Sequence, residues 1–441
     1  MKIKYVNIAC AFLLFSFFIK PISAFWNGSP LHLIIDIFIV ILVIDILFHE
    51  KFSRDLKWII VLMALTFTGM LLVSRHGSAD IGNISFVLKS RRMFILMATI
   101  FLYLFVFTKL DNNKLLKVDF FIEKIIQLNI VFILLDTVAV NFLGMQSLIF
   151  NMFNEVGYRI MGASFFVHYR PNGLVLGPQH ASVLSVVGIL RWVPLSFEWR
   201  RIGFCKLVWL GAACLLFLIS MTTTAVLCLS VCLLFLAFSG LVMKKRLGTL
   251  GVAVASIFLV SLICGSLIID KYSQVVTRGS YLGETGFSKY SLIYTDPIIK
   301  ISNDPFNALI GTGVLSAGME SQYPNLLIYE IEHADFGLMI SAVTYGIIVV
   351  TILITFYIIY LLKAVKYIGS IKQRFEADIA LRLILISLAL VVSTVHYGTL
   401  LNNGIFQLFA AVIALSWAFM RGHKKVALNV WRNNLMPLNH I

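Results

Sequence analysis

Charge is scarce in this chain. Only 13% of its 441 residues are Asp, Glu, Lys or Arg, where a soluble domain carries about 25%. Together with 60% hydrophobic residues and a mean hydropathy of +0.93, that scarcity excludes an ordinary soluble globular protein and predicts an integral membrane protein. Acidic residues are rarer still, 21 against 36 Lys and Arg. The basic surplus does not predict nucleic acid as a partner, because the cations are scattered rather than striped along one face. Polytopic membrane proteins collect Lys and Arg in their cytoplasmic connections, and that suffices. Cysteine is sparse too. Cys10, Cys205, Cys214, Cys228, Cys232 and Cys264 all fall in apolar segments, so neither a disulfide framework nor a CxxC metal site is readable. They are expected to pack as small hydrophobes. Internal repeats and low-complexity runs are absent, and a single polytopic domain over 1–441 is the expectation.

What is abundant is apolar sequence in runs of membrane-crossing length, about 20 residues each. Candidate spans lie near 6–23, 31–48, 57–73, 93–108, 122–143, 181–197, 206–220, 224–242, 249–269, 336–361, 379–396 and 402–420. The predicted fold class is therefore all-α, with about twelve transmembrane helices. The opening "MKIKYVNIACAFLLFSFFIKPISAF" has the form of a secretory signal, but with so many spans following it is expected to be retained as the first crossing.

Basic residues set the orientation. Lys51, Arg54 and Lys57, then Lys109, Lys114 and Lys117, then Arg200, Arg201 and Lys206, then Lys244, Lys245 and Arg246 fall in alternate connections, which predicts both termini in the cytoplasm. One outer connection disobeys, with Arg75, Lys89, Arg91 and Arg92. Either its "ISFVLKSRR" end is an interfacial helix on anionic headgroups, or the span count is off nearby.

Two long outer loops remain, about 144–180 and about 270–335, punctuated by "RPNG", "GETG", "DPF" and "GTG". The first carries Arg159, His168 and Arg170, with His180 just beyond the turn; the second carries Lys271, Arg278 and Lys289. Glu330, Glu332, His333 and Asp335 stand at the lip of the following span. Cations on the outer face gain nothing from the positive-inside rule and need another reason. An anionic lipid-linked substrate supplies one. Arginine binds phosphate oxygens with a planar fork and keeps its charge, and at low dielectric two such forks hold a pyrophosphate and neutralise it as it leaves. A histidine moves a proton near neutral pH. The assembly suits transfer of a sugar from a lipid pyrophosphate to a hydroxyl.

At these residues the chain resembles the bacterial O-antigen polymerase and ligase superfamily. "RPNGLVLGPQHA" has the Arg-x-x-Gly-x4-Pro-x-x-Ala pattern (Arg170, Gly173, Pro178, Ala181), "LIGTGV" is similar to the family's glycine turn, and "HADFGLMISAVTYGIIV" is similar to its histidine-led span after the large periplasmic loop. The order of these motifs matches as well. Departures are Gln179 where a Pro-Asn pair often sits, and "SMTTTAV" without an arginine.

The resemblance implies a metal-independent, cofactor-free glycosyltransferase in the bacterial inner membrane. Its implied substrate is an undecaprenyl-pyrophosphate-linked oligosaccharide on the periplasmic face, with membrane lipid and a polysaccharide chain-length regulator as further partners. Arg170 and Arg278 become the pyrophosphate ligands and His333 the catalytic or acceptor-orienting group. Arg159, Lys289, His180, Glu332 and Asp335 are further substrate-binding candidates. Polymerase is expected over ligase, because polymerases diverge with their sugars. Each residue also has a plain alternative. Arg170 snorkels to headgroups, Arg278 is a solvated loop cation, His180 satisfies a backbone carbonyl, and the acids lead a helix. Asp36, Asp45, Asp136, Arg191 and Arg382, inside predicted spans, are either a transporter's charge path or interhelical pairs and anchors; the second is expected.

Overall fold

The computed structural model describes residues 2–25, 31–76, 92–143, 173–175, 178–193, 203–220, 222–242, 346–370, 374–397 and 403–434, with the isolated Leu309. Within them the protein is all-α. The helices are α1 (Lys2–Phe25), α2 (Leu31–His49), α3 (Arg54–His76), α4 (Arg92–Phe107) and α5 (Asn112–Phe142), then α6 (Pro178–Trp192), α7 (Phe204–Ser220) and α8 (Thr223–Val242). After these come α9 (Ile347–Ser370), α10 (Arg374–Tyr397) and α11 (Asn403–Asn434), and a 3-10 turn at Gly173–Val175 precedes α6. Each α-helix coincides with one predicted span, and the predicted span near 249–269 lies outside the described residues. So does the basic 89–91 stretch.

Several boundaries differ from the hydropathy reading, each for a local reason. Helix α5 begins about three turns before its apolar run. There Asp111 adopts extended backbone and its side chain accepts the Lys114 N–H at 2.8 Å. That cap draws Lys114 and Lys117 into the helix. Hydrogen bonds from the Lys114 ammonium and backbone hold the Asp111 carboxyl below its usual range. Helix α9 runs to Ser370 and so takes in Lys363 and Lys366. Gly346 precedes it at φ +88°, a backbone conformation that favours glycine.

Side-chain contacts fix the packing as mostly antiparallel neighbours. Tyr5 on α1 donates to Asp45 on α2 at 2.8 Å. Phe52 and Phe67 make tilted ring contacts with Phe101 and Phe94 of α4. The Cys228 and Cys232 thiols of α8 each donate to a carbonyl of α10, Ala389 and Leu385, at 3.3 Å. On α9, Tyr360 and Tyr367 meet Ser416 and the Phe419 carbonyl of α11. The centre is formed by 95–107 of α4, 379–390 of α10 and 404–420 of α11, which are buried almost continuously. Gly404 lets α11 close on α1, since a Cβ there would meet the Phe17 ring at 2.6 Å. Small groups and short hydroxyl bonds are how helices associate where apolar surroundings remove the hydrophobic drive.

The perimeter inverts the pattern of a soluble bundle. On α2 the stripe Ile35, Ile39, Val43 and Ile46 is buried, while the opposite stripe of Ile34, Ile37, Phe38, Ile41, Ile44 and Phe48 is exposed. A helix apolar on both faces does not belong at a water-facing surface. Helix α9 shows the same on Ile354, Ile358, Ile359 and Leu362. Among the described residues, Ile347–Ile368 and Gly404–Arg421 are long and apolar enough to cross a membrane. Cys205 and Cys214 are exposed on this perimeter, unlike the buried Cys228 and Cys232.

Candidate functional site

Of the predicted site residues, His180 alone lies among the described ones. Arg159, Arg170, Arg278, Lys289, Glu332, His333 and Asp335 lie outside them, as does "GTGV" of the glycine turn. The structure does describe the second half of the "RPNGLVLGPQHA" motif and the surface it rests on.

Gly173 sits at φ +58° and is buried. An added Cβ would come within 2.5 Å of Ile133 Cγ1 on α5, so the turn lies directly on that helix. Its N–H points to Asp136 Oδ2 at 3.4 Å, the far limit of a hydrogen bond, and Asp136 is only 1% exposed. Leu174 follows it into the core at 3% exposure. Two features demand glycine here: left-handed backbone, costly for any residue with a Cβ, and contact too close for a side chain. Gly173, three residues after Arg170 in sequence, is thus a seat on α5.

Helix α6 then starts with Pro178 in its first turn, where a missing N–H costs nothing. His180 is half-buried in that turn. One residue past Ala181, Ser182 is buried and ties α6 to the start of α8. Its Oγ lies 2.7 Å from Thr222 Oγ1 and 2.8 Å from the Gln179 carbonyl oxygen. Thr222 Oγ1 also accepts the Ala225 N–H at 3.2 Å. One assignment satisfies all three contacts: Ser182 donates to Gln179, and Thr222 donates to Ser182 while capping α8. The "SMTTTAV" stretch, notable in the sequence for lacking an arginine, therefore supplies a helix cap that braces the motif. A Thr three residues before an apolar run was the available signal.

At the opposite end of α5 and α6 lies a buried ion cluster. Arg191 grips Asp119 with two parallel bonds, Nη1 to Oδ1 and Nη2 to Oδ2, each 2.7 Å. Its Nη2 and Nε also reach Glu123 Oε2 at 2.8 and 3.2 Å. The Arg191 and Asp119 side chains are 6% and 8% exposed. Trp192 Nε1 donates to the other Glu123 oxygen at 3.2 Å and stacks on Trp209 of α7. Arg382 of α10 donates to the Arg191 carbonyl, bringing a second guanidinium beside the two carboxylates. Charges therefore balance within the cluster. Arg191 and Arg382 are interhelical anchors, as the sequence reading expected, but Asp119 and Glu123 were missed as partners. Their spacing of four, on the apolar stretch "VDFFIEK", was the signal.

The two ends are chemically unlike. The Arg191 end spends its charges on one another. The Gly173 end offers an anchored turn, hydroxyls and a half-buried histidine. Among the described residues, no group of three or more His, Cys, Asp or Glu is arranged to hold a metal ion. The chain matches no family model and no curated protein.

Proposed function

We propose that this protein is a multi-pass glycosyltransferase of the bacterial inner membrane, with about twelve spans, acting as an O-antigen (surface polysaccharide) polymerase. A growing glycan on one undecaprenyl pyrophosphate passes to the non-reducing end of a new lipid-linked repeat unit at the periplasmic face. The acceptor hydroxyl attacks the anomeric carbon, the bond to the pyrophosphate oxygen breaks, and the pyrophosphate departs on its lipid. Arg170 and Arg278 neutralise the departing charge, and His333, or Glu332 or Asp335 beside it, takes the hydroxyl proton. His180, Arg159 and Lys289 line the approach.

The observation that carries this reading is the glycine seat behind Arg170. A left-handed turn buried against α5, with its N–H directed at a buried carboxylate, fixes Gly173, three residues from Arg170 in sequence. A cation that merely snorkels to headgroups needs no such seat. Pre-organised donors are what stabilisation of a leaving pyrophosphate requires. The membrane part of the reading rests on composition, on the apolar outer stripes of α2 and α9, and on the charge at one end of the bundle. Lys109 meets Glu50 there at 2.7 Å, and Arg191, Arg382 and Lys363 lie at the same end. That end is the cytoplasmic one in this reading, and the Gly173 end is periplasmic.

The test is genetic and direct. Arg170→Ala and Arg278→Ala should each cut long-chain polysaccharide by about 100-fold or more while the protein still inserts. Normal chain lengths in both variants would refute the assignment. In a deletion strain, lipopolysaccharide carrying single repeat units means polymerase. A bare core with accumulating lipid-linked polymer means instead a ligase that passes the glycan to lipid A core. Movement of lipid-linked glycan across a reconstituted bilayer without elongation would make the protein a flippase.

A further inference from the structure

The cytoplasmic half of the bundle contains a narrow cleft that the transferase reading does not use. It has a volume of about 50 Å³ and runs between α3, α4, α9 and α11. Trp58, Tyr360, Ile413 and Trp417 supply apolar wall, and Lys363 and Arg421 are the charged residues lining it. No carboxylate lines it among the described residues.

Both hydroxyl groups of the wall are already engaged. Tyr360 shares its hydroxyl with Ser416 at 2.6 Å, and the Thr108 hydroxyl donates to the Leu104 carbonyl at 2.6 Å. A neutral polar solute would therefore find few partners here. What the cleft presents is greasy surface with cations, and Lys363 is steadied by lying 5.3 Å above the Trp417 ring. The opening faces the apolar perimeter, since Trp58 is 58% exposed and Leu362 beside Lys363 is 66% exposed. Tryptophans together with Lys and Arg mark the level of lipid headgroups, and basic pockets between helices on the cytoplasmic side suit anionic ones.

We infer that this cleft binds an anionic phospholipid of the cytoplasmic leaflet. One acyl chain lies over the exposed face of Trp58, and the phosphate rests between Lys363 and Arg421. The inference depends on the membrane part of the reading above and is independent of the transferase chemistry.

Native mass spectrometry of the full-length protein from detergent tests it, with phosphatidylglycerol, phosphatidylethanolamine of the same chains, and undecaprenyl phosphate as probes. The expected result is retention of one phosphatidylglycerol in preference to phosphatidylethanolamine. Lys363→Gln and Arg421→Gln should each weaken retention about fivefold, and the double variant about thirtyfold. Lys366→Gln, exposed on the same helix outside the cleft, should leave it unchanged. Equal retention of the two phospholipids, indifference to the double variant, or preference for undecaprenyl phosphate would each overturn the inference. A protein that fractionates away from membranes would instead overturn the membrane reading, whereas lost polymerase activity alone bears on neither.

Discussion

Asp119 and Asp136 sit on one helix, separated by about five turns or about 25 Å, and do opposite work. Asp119 receives both prongs of Arg191, with Glu123 and Arg382 closing the charge balance. Asp136 faces the backbone N–H of Gly173 at 3.4 Å. The first arrangement welds three helices together at one end and leaves nothing over for a ligand. The second sits against a left-handed glycine turn. A buried carboxylate thus either closes an ion cluster or meets a backbone turn, and burial alone does not tell the two apart.

Breaking the welded end should produce the largest change in stability. Arg191→Met leaves Asp119 and Glu123 with Arg382 alone and should cost about 3–5 kcal/mol, visible as a much lower unfolding midpoint in detergent. Adding Asp119→Leu, Glu123→Leu and Arg382→Leu should return most of that stability, because a fully apolar cluster is no worse than a satisfied ionic one. If the quadruple variant stays as unstable as the single, the cluster does more than pack.

At the Gly173 end the changes should be smaller in stability and, under the proposed polymerase function, larger in polymer output. Gly173→Ala should cost about 1–2 kcal/mol from the backbone alone, with polysaccharide length falling while the protein still inserts. Gly173→Asn separates the causes. Asparagine tolerates left-handed backbone, so a milder effect identifies conformation, and an equal effect identifies the clash with Ile133. Thr222→Val removes the cap of α8 and the bond to Ser182, and should lower stability by about 1 kcal/mol.

The smallest effects belong to exposed charges. Lys109→Gln breaks the pair with Glu50 and should change stability by no more than about 1 kcal/mol. Asp111 caps α5 with a lowered carboxyl pKa. Its contribution is therefore present above the ordinary carboxylate range and is lost as pH falls through the lowered value. Hydrogen exchange in the first turn of α5 should rise on acidification in the native protein and stay flat in Asp111→Ala.

Much of the helix inventory was legible in advance, because an apolar run of sufficient length leaves its backbone little choice but to bond to itself. Boundaries were less legible. Hydropathy placed the start of α5 near residue 122, whereas the Asp111 cap and a tolerant stretch of Lys and Leu carry the helix back to Asn112. At the candidate site, the Pro-Asn-Gly signal correctly foretold a break. It did not reveal Asp136 as the acceptor or Ile133 as the floor, since both lie more than thirty residues away and neither has a distinctive neighbourhood. Likewise Ser182 and Thr222 are ordinary hydroxyls until α6 and α8 meet.

The amino-acid order by itself determined that this is an apolar all-helical chain, where its helices run, and that a Gly-centred turn precedes α6. These are consequences of local backbone energetics and of hydropathy, which act within a few residues. Only the tertiary structure decided that Arg191 chooses Asp119 and Glu123, that Asp136 faces the turn, and that Lys363 and Arg421 share a cleft. Those pairings depend on which helix faces approach, and charge and hydrogen bonding act only across the few ångströms that packing creates.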